Sequence, residues 1–246
     1  TVEVTGRASG NSATDINIPD TVTSNGITYS VTTIADSAFL FKSLTSVTIG
    51  NSVTTIGVAA FAGNELTSVT IGNSVTTIGA YAFFVNNLTS VTLGDSVETI
   101  GAYTFAQNEL NSLTIGNNVT TIGDEAFSGN KLTSLTIPDS VTTIGDWAFD
   151  TNNLTSVTFL GHFGAFNLNM FTGNFNLTTI TYVQGKTGWP QTFTPAGSGS
   201  VAAIPSTFEQ ADLAYLITSG TTVEVTGRAS GNSATDINIP DTVTSN

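Results

Sequence analysis

The sequence predicts a β-rich solenoid, a stack of 22-residue coils with a parallel sheet and short helical turns, capped by β-strands at both ends. Three apolar columns recur at this step without a slip, and their regularity carries the prediction. A fixed period of about 20 to 50 residues is typical of repeat proteins, whose units bury their apolar faces only by stacking. The columns are Leu44, Leu66, Leu88, Leu110, Leu132 and Leu154; Ile34, Ile56, Ile78, Ile100, Ile122 and Ile144; and Phe39, Phe61, Phe83, Phe105, Phe127, Phe149 and Phe171.

The predicted solenoid extends over residues 44–182, where each coil has the same order of segments. The pattern LTSVTI directs three apolar side chains inward, because side chains alternate along a strand. A turn of Gly or Pro followed by Asn or Asp comes next, then the extended segment SVTTI and a turn that contains the Phe. Since Pro138 fills the slot of Gly50 and Gly72, the slot requires negative φ. The Phe residues are expected to stack into an aromatic spine.

Residues 1–43 are predicted to form an N-terminal cap strand and an irregular first coil. TVEVTG alternates apolar and polar residues, as a strand that covers the end of the stack would. Ile16 and Ile18 match Val47 and Ile49 after an insertion of nine residues, for which SNGITYS supplies the turn signals.

The C-terminal part is predicted to contain a cap and linker over residues 183–205, then a hairpin and the start of a tandem unit over residues 206–246. Residues Thr222 to Asn246 repeat Thr1 to Asn25 letter for letter, a second period of 221. The duplication reflects either a natural tandem array or a choice made in cloning. In an array, neighbouring units would join by adding a strand to an exposed sheet edge. The predicted inter-unit contact residues are Val2, Val4, Leu213, Tyr215, Ile217, Val223 and Val225.

The charge balance limits the expected partners. The net charge is −13, with only five Lys and Arg residues against 18 Asp and Glu. Nucleic acids and anionic membrane surfaces are held by clustered Lys and Arg, so neither is expected. No apolar run approaches 18 residues, which argues against membrane insertion, and the absence of Cys excludes disulfides. The expected partners are neighbouring identical units, head to tail, and a host protein or polysaccharide.

No catalytic, cofactor-binding or metal site is predicted, and the chain is not expected to be an enzyme. His162 is the only histidine and has no Cys or repeated carboxylate column beside it, so it indicates a cap residue. Whether calcium binds stays open, because the acidic residues lack the spacing of a calcium loop. The calcium candidates are Asp95, Asp124, Glu125 and Asp146.

Two sets of polar columns complete the coil pattern. The first, predicted to satisfy backbone groups at a corner of the coil, comprises Asn64, Asn86, Asn108, Asn130, Asn152 and Asn174. The second is a candidate contact face for a glycan or another protein, although threonine is also simply a good exposed strand residue. Its members are Ser46, Thr48, Ser68, Thr70, Ser90, Thr92, Ser112, Thr114, Ser134, Thr136, Ser156 and Thr158.

The pattern LTSVTI-G/P-N/D-SVTTIG-xx-AF-xxN resembles the BspA-type leucine-rich repeat of bacterial surface proteins, over about Ile16 to Tyr182. In one departure, the asparagine column stands where that family often has Cys after the AF turn. The resemblance implies a right-handed, curved leucine-rich-repeat solenoid with a parallel sheet on its inner face. It also implies an extracellular or cell-surface location and a role in adhesion or scaffolding.

Together these features predict a non-catalytic extracellular structural or adhesive module that assembles head to tail through its terminal strands, in a surface protein or a filament. The alternative is a specific module that binds a glycan or host protein through the Ser/Thr face.

Overall fold

The computed structural model describes residues 1–7, 12–162, 165–166 and 168–183, and the strands at 192–193, 201–205, 213–218 and 222–228. The chain forms a β-solenoid of about seven coils with a 22-residue spacing and almost no helix. The turns predicted as helical are hydrogen-bonded turns, and the 3-10 helix Leu168–Phe171 is the only helix in the described part.

The first coil contains an inserted hairpin. Its strands are β1 (Val2–Val4), β2 (Asp15–Ile18), β3 (Thr21–Ser24) and β4 (Ile27–Ile34). β3 and β4 pair antiparallel around Asn25 and Gly26, whose positive φ angles of 51° and 76° suit a two-residue hairpin turn. The insertion predicted from SNGITYS is this hairpin.

Each later coil carries two short strands. The first strands are β5 (Ser46–Ile49), β7 (Ser68–Thr70), β9 (Ser90–Thr92), β11 (Ser112–Thr114), β13 (Ser134–Ile137), β15 (Ser156–Phe159) and β17 (Thr179–Tyr182). The second strands are β6 (Thr55–Ile56), β8 (Thr77–Ile78), β10 (Thr99–Ile100), β12 (Thr121–Ile122), β14 (Thr143–Ile144) and β16 (Ala165–Phe166). Four strands follow: β18 (Thr192–Phe193), β19 (Val201–Pro205), β20 (Leu213–Thr218) and β21 (Thr222–Arg228).

The two sets of strands differ in continuity. The second strands form one parallel sheet in the order β1-β4-β6-β8-β10-β12-β14-β16. Paired residues lie one coil apart, as where Ile56 stands opposite Ile78. The first strands form three separate ladders, β2-β5-β7, β9-β11 and β13-β15-β17-β19, with β18 on the last. The face that they present is therefore interrupted after β7 and after β11.

The core consists of the Leu, Val and Ile columns of both strands and the Phe of each turn. Successive Phe rings from Phe39 to Phe171 stack with centroids 5.2 to 5.8 Å apart, which confirms the predicted spine. Burying one apolar side chain stabilises the folded state by roughly 1.5–3 kcal/mol. Each coil buries several such side chains against both neighbouring coils.

The glycines that follow the first strands allow close stacking of the coils. A Cβ added at Gly72 would lie 2.1 Å from the carbonyl oxygen of Gly50. Neither residue has positive φ, so the prediction drawn from Pro138 is confirmed. At Gly94, next to the interruption after β7, an added Cβ would meet nothing within 4 Å.

Two segments at the C-terminal end differ from the predicted pattern. After Phe159 the sequence LGHFGAFNLNM departs from the repeat pattern and predicts no regular second strand. In the structure, β16 nevertheless pairs with β14 at the regular 22-residue step. The apolar pattern of Leu177, Ile180 and Tyr182 predicts a last strand shifted by one residue. The structure confirms this shift, since Thr179 stands opposite Ser156. Within residues 183–205, predicted as a cap and linker, β19 pairs parallel with β17 and prolongs the stack. The Gly- and Ser-rich part of that prediction lies outside the described residues.

Candidate interaction surfaces

A ladder of buried asparagines follows one corner of the solenoid, with one residue in each coil. The Oδ1 atom of Asn108 accepts a hydrogen bond from the backbone N–H of Leu88 at 3.1 Å. Its Nδ2 donates to the carbonyl oxygens of Phe83 and Phe105 at 3.0 and 3.1 Å. The same three contacts recur at Asn64, Asn86, Asn130, Asn152 and Asn174.

This arrangement explains why the column is asparagine. An amide carries a donor and an acceptor on one short side chain, whereas a carboxylate only accepts and an aliphatic side chain does neither. Each amide joins backbone groups of its own coil to those of the preceding coil, as predicted. The ladder is therefore a structural feature and leaves little polar surface for a ligand.

The predicted Ser/Thr contact face lies on the outer side of the first strands, where its members are exposed or half-buried. Within one ladder the side chains form rows, as where Ser90 stands opposite Ser112 and Thr92 opposite Thr114. Because the strands are interrupted after β7 and β11, the rows form three patches instead of one lattice. A binding role for this face stays a prediction.

Asp15 contacts the first patch at the N-terminal end. The hydroxyl groups of Ser46 and Thr45 donate to its Oδ1 atom at 2.7 and 2.9 Å. These hydrogen bonds, that of Ser46 first, lower the pKa of the Asp15 carboxyl below its usual value. The hydroxyl group of Ser46 is therefore already hydrogen-bonded within the chain.

The predicted inter-unit contact residues lie on two sheets. Val2 and Val4 are half-buried against the core on β1, which pairs parallel with β4. The backbone N–H of Ala35 donates to the carbonyl oxygen of Val4 at 2.8 Å. The other five residues lie in the antiparallel hairpin of β20 and β21: Leu213, Tyr215, Ile217, Val223 and Val225.

A further surface, not identified from the sequence, lies on the turns that follow the second strands. We call it the aromatic–acidic ridge, formed by Tyr81, Phe84, Tyr103, Glu125 and Trp147. The rings of Tyr81 and Tyr103 stack with centroids 4.7 Å apart, and Phe84 meets both edge-on. The hydroxyl of Tyr103 donates to Glu125 Oε1 at 2.5 Å, and this bond is the main cause that raises the pKa of Tyr103 to about 12.

The ridge follows a column of non-glycine residues with left-handed backbone. The φ angles lie between 51° and 60° at Tyr81, Tyr103, Glu125 and Trp147. Bulky residues rarely adopt such angles. The 22-residue step joins these positions to smaller residues at the N-terminal end of the same column: Ser37 and Ala59.

The absence of a catalytic centre stays a prediction. His162 is exposed at the C-terminal end of the regular coils. In the described part of the chain, no three His, Cys, Asp or Glu side chains are grouped as metal ligands. Within the same residues, no helix is long and apolar enough to cross a membrane.

Several solved bacterial structures are similar to this chain. The pneumococcal vaccine antigen PcpA is 25% identical with a TM-score of 0.56, and the match covers 71% of this chain and 44% of PcpA. A leucine-rich cell surface protein from Faecalibacterium prausnitzii A2-165 is 25% identical with a TM-score of 0.49, over 82% and 55% of the two chains. A leucine-rich repeat protein from Bacteroides ovatus ATCC 8483 is 30% identical with a TM-score of 0.49, over 74% and 43%. The chain thus spans about half the length of these proteins.

The repeats of this chain also match a family model. No protein of curated function matches the chain. The model of the BspA type leucine rich repeat region matches in six copies, over residues 9–130 and 98–192. These matches cover most of the solenoid and include its leucine, isoleucine, phenylalanine and asparagine columns. The chain belongs to the BspA-type leucine-rich repeat family.

Proposed function

We propose that this chain is a non-catalytic structural or adhesive repeat module of a bacterial surface protein, whose units join head to tail through their terminal strands. The 25-residue duplication carries this proposal, because its two copies pair with different strands. The family and the surface protein of F. prausnitzii support a location outside the cell.

The first copy of the duplicated strand pairs on one edge only in the described structure. Val4 directs its carbonyl toward β4, where Ala35 donates to it. Because backbone groups alternate along a strand, the N–H and carbonyl of Glu3 point to the opposite edge. This edge of β1 is available to another strand.

The pairing of the second copy supports β20 as that strand. On β21, Glu224 occupies the place of Glu3, and it stands opposite Leu216 of β20. We infer that β20 of one unit pairs antiparallel with β1 of the next, with Leu216 opposite Glu3. The duplicated strand would then lie between β20 on one edge and β4 on the other.

The backbone pairing supports this register. Val223 and Val225 stand opposite Ile217 and Tyr215. Their counterparts in β1, Val2 and Val4, pack against the core. Ile217 and Tyr215 of the preceding unit would therefore stand opposite Val2 and Val4 at the apolar end of the stack.

Truncation tests the proposal, because β21 and β1 compete for the same edge of β20. The full chain is expected to sediment as a monomer, since its own β21 occupies β20. A chain that lacks Thr222–Asn246 leaves β20 open and is expected to form concentration-dependent head-to-tail oligomers in sedimentation velocity.

A substitution in β1 provides the matched control. Replacing Glu3→Pro in the truncated chain removes the outward N–H and should restore the monomer, whereas Glu3→Ala keeps the N–H and should still associate. A truncated chain that stays monomeric at high concentration, or associates equally well with Glu3→Pro, would show the strand pairing to be wrong.

A further inference from the structure

The aromatic–acidic ridge has features of a binding surface that the solenoid itself does not require. In the same column, Ser37 and Ala59 adopt the left-handed backbone with small side chains, so the turn needs no aromatic residue. Tyr81 and Trp147 are nevertheless 38% and 43% exposed. Exposed aromatic groups beside unpaired charges are more typical of interaction sites than of inert surface.

Among the described residues, one face of the Tyr81 ring has no aromatic ring stacked on it, and we call it the open face. Tyr103 covers the face toward the next coil, with an interplanar angle of 3°. Phe84 is 5.4 Å from Tyr81 and 6.4 Å from Tyr103, so it lies beside the stacked pair and not on top of it. The remaining face of Tyr81 points toward the preceding coil, where the column has only the methyl group of Ala59.

The ridge is also electronegative. Asp124, Glu125 and Asp146 lie in the two coils that follow Tyr103, beside Trp147. Lys131 is the only basic residue between positions 44 and 159, and it forms an ion pair with Glu109. No basic side chain of these coils neutralises the ridge.

We propose that the ridge binds a cationic segment of a partner protein, with one Arg or Lys on the open face of Tyr81 and a second between Trp147 and the carboxylates. A cation over an aromatic face is attracted by the ring quadrupole, and the planar guanidinium of Arg also stacks on it. Charge complementarity favours such a segment over a neutral glycan, because the protein has a net charge of −13.

The geometry sets the spacing of the two cations. Tyr81 and Trp147 lie three coils apart, which is roughly 14 Å at about 4.8 Å per coil. An extended peptide advances roughly 3.3 Å per residue, so two basic residues about four positions apart match this distance. The partner segment is therefore extended and lies along the solenoid axis.

The test uses the full chain and the acetylated, amidated peptide Arg-Gly-Ser-Gly-Arg in isothermal titration calorimetry. Binding is expected, and its affinity should fall as salt rises because the contacts are exposed charges. Tyr81→Ala should weaken it about fivefold, which corresponds to about 1 kcal/mol for a cation–π contact. Ala is accepted at φ of 54° in the equivalent position, Ala59, so this variant should fold.

Two further variants separate the ridge from general surface effects. Phe175→Ala removes an equally aromatic, 74% exposed side chain outside the ridge and should leave binding unchanged. Ala59→Lys places a cation beside the open face of Tyr81 within the chain and should weaken peptide binding, whereas Ala59→Gln should not. Unchanged affinity in Tyr81→Ala, or binding of a neutral oligosaccharide at the ridge without binding of the peptide, would overturn the proposal.

Discussion

The asparagine ladder makes a quantitative prediction about what holds neighbouring coils together. Replacing Asn108→Ala would leave the N–H of Leu88 without its acceptor. The carbonyl oxygens of Phe83 and Phe105 would lose one donor but keep the hydrogen bonds from Asn86 and Asn130. Asn108 is only 5% exposed, so water cannot readily replace the amide. An unsatisfied buried polar group costs about 1–3 kcal/mol. For the one N–H left unsatisfied, we expect a loss of about 1–3 kcal/mol in the free energy of unfolding.

Urea unfolding followed by circular dichroism measures this loss. Asn87→Ala is the matched control, because Asn87 directly precedes Leu88 and is exposed. This substitution should lower the free energy of unfolding by less than about 0.5 kcal/mol. Since repeat arrays can unfold in parts, hydrogen exchange at the Leu88 amide gives a local measure of the same effect. Equal stability of the two variants would refute the reasoning.

An acidic replacement adds a dependence on pH. In Asn108→Asp, an ionised carboxylate would face two carbonyl oxygens and could not donate to either. The folded state would therefore raise the pKa of the introduced carboxyl above its unfolded value. The destabilisation relative to the parent chain should be smallest in acid and grow as the pH rises through the folded pKa.

Two other predictions follow from single contacts. Gly72→Ala places a Cβ 2.1 Å from the Gly50 carbonyl oxygen and should lower the thermal midpoint by several degrees, whereas Gly94→Ala, with nothing within 4 Å, should leave it nearly unchanged. In an alkaline absorbance titration, Tyr103 should ionise near pH 12, and Glu125→Gln should return its pKa toward the usual 10.0. Because the folded-state pKa is raised, the stabilisation from this contact is complete below the usual tyrosine range and is lost as the pH rises through about 12.

The parts of this fold that follow from sequence are those that depend on side-chain chemistry repeated at one step. Leu88, Phe105 and Asn108 each recur in the same position of other coils, so burial and hydrogen bonding were predictable before any contact was known. The negative φ of the glycine turns could be derived from a single residue, Pro138, because its ring fixes the dihedral angle.

Other features depend on backbone geometry that leaves no clear mark on the sequence. The left-handed conformation at Tyr81 and Trp147 falls on residues that ordinarily avoid it, so no local preference points there. The aromatic–acidic ridge was also missed, because its members are of several residue types and form no single repeated column. Strand β16 was missed because Ala165 and Phe166 pair through the backbone and do not need the threonine and isoleucine of the other coils.

The continuous second sheet also determines how the molecule would respond to a pulling force. Its hydrogen bonds connect one coil to the next and so lie along the length of the stack. Tension applied at the two ends of the chain would open the terminal coil first and leave the interior coils paired. Each opened coil of 22 residues would lengthen from about 5 Å to roughly 70 Å of extended chain. A row of such modules would therefore extend in steps, one coil at a time, while the remaining coils stay folded.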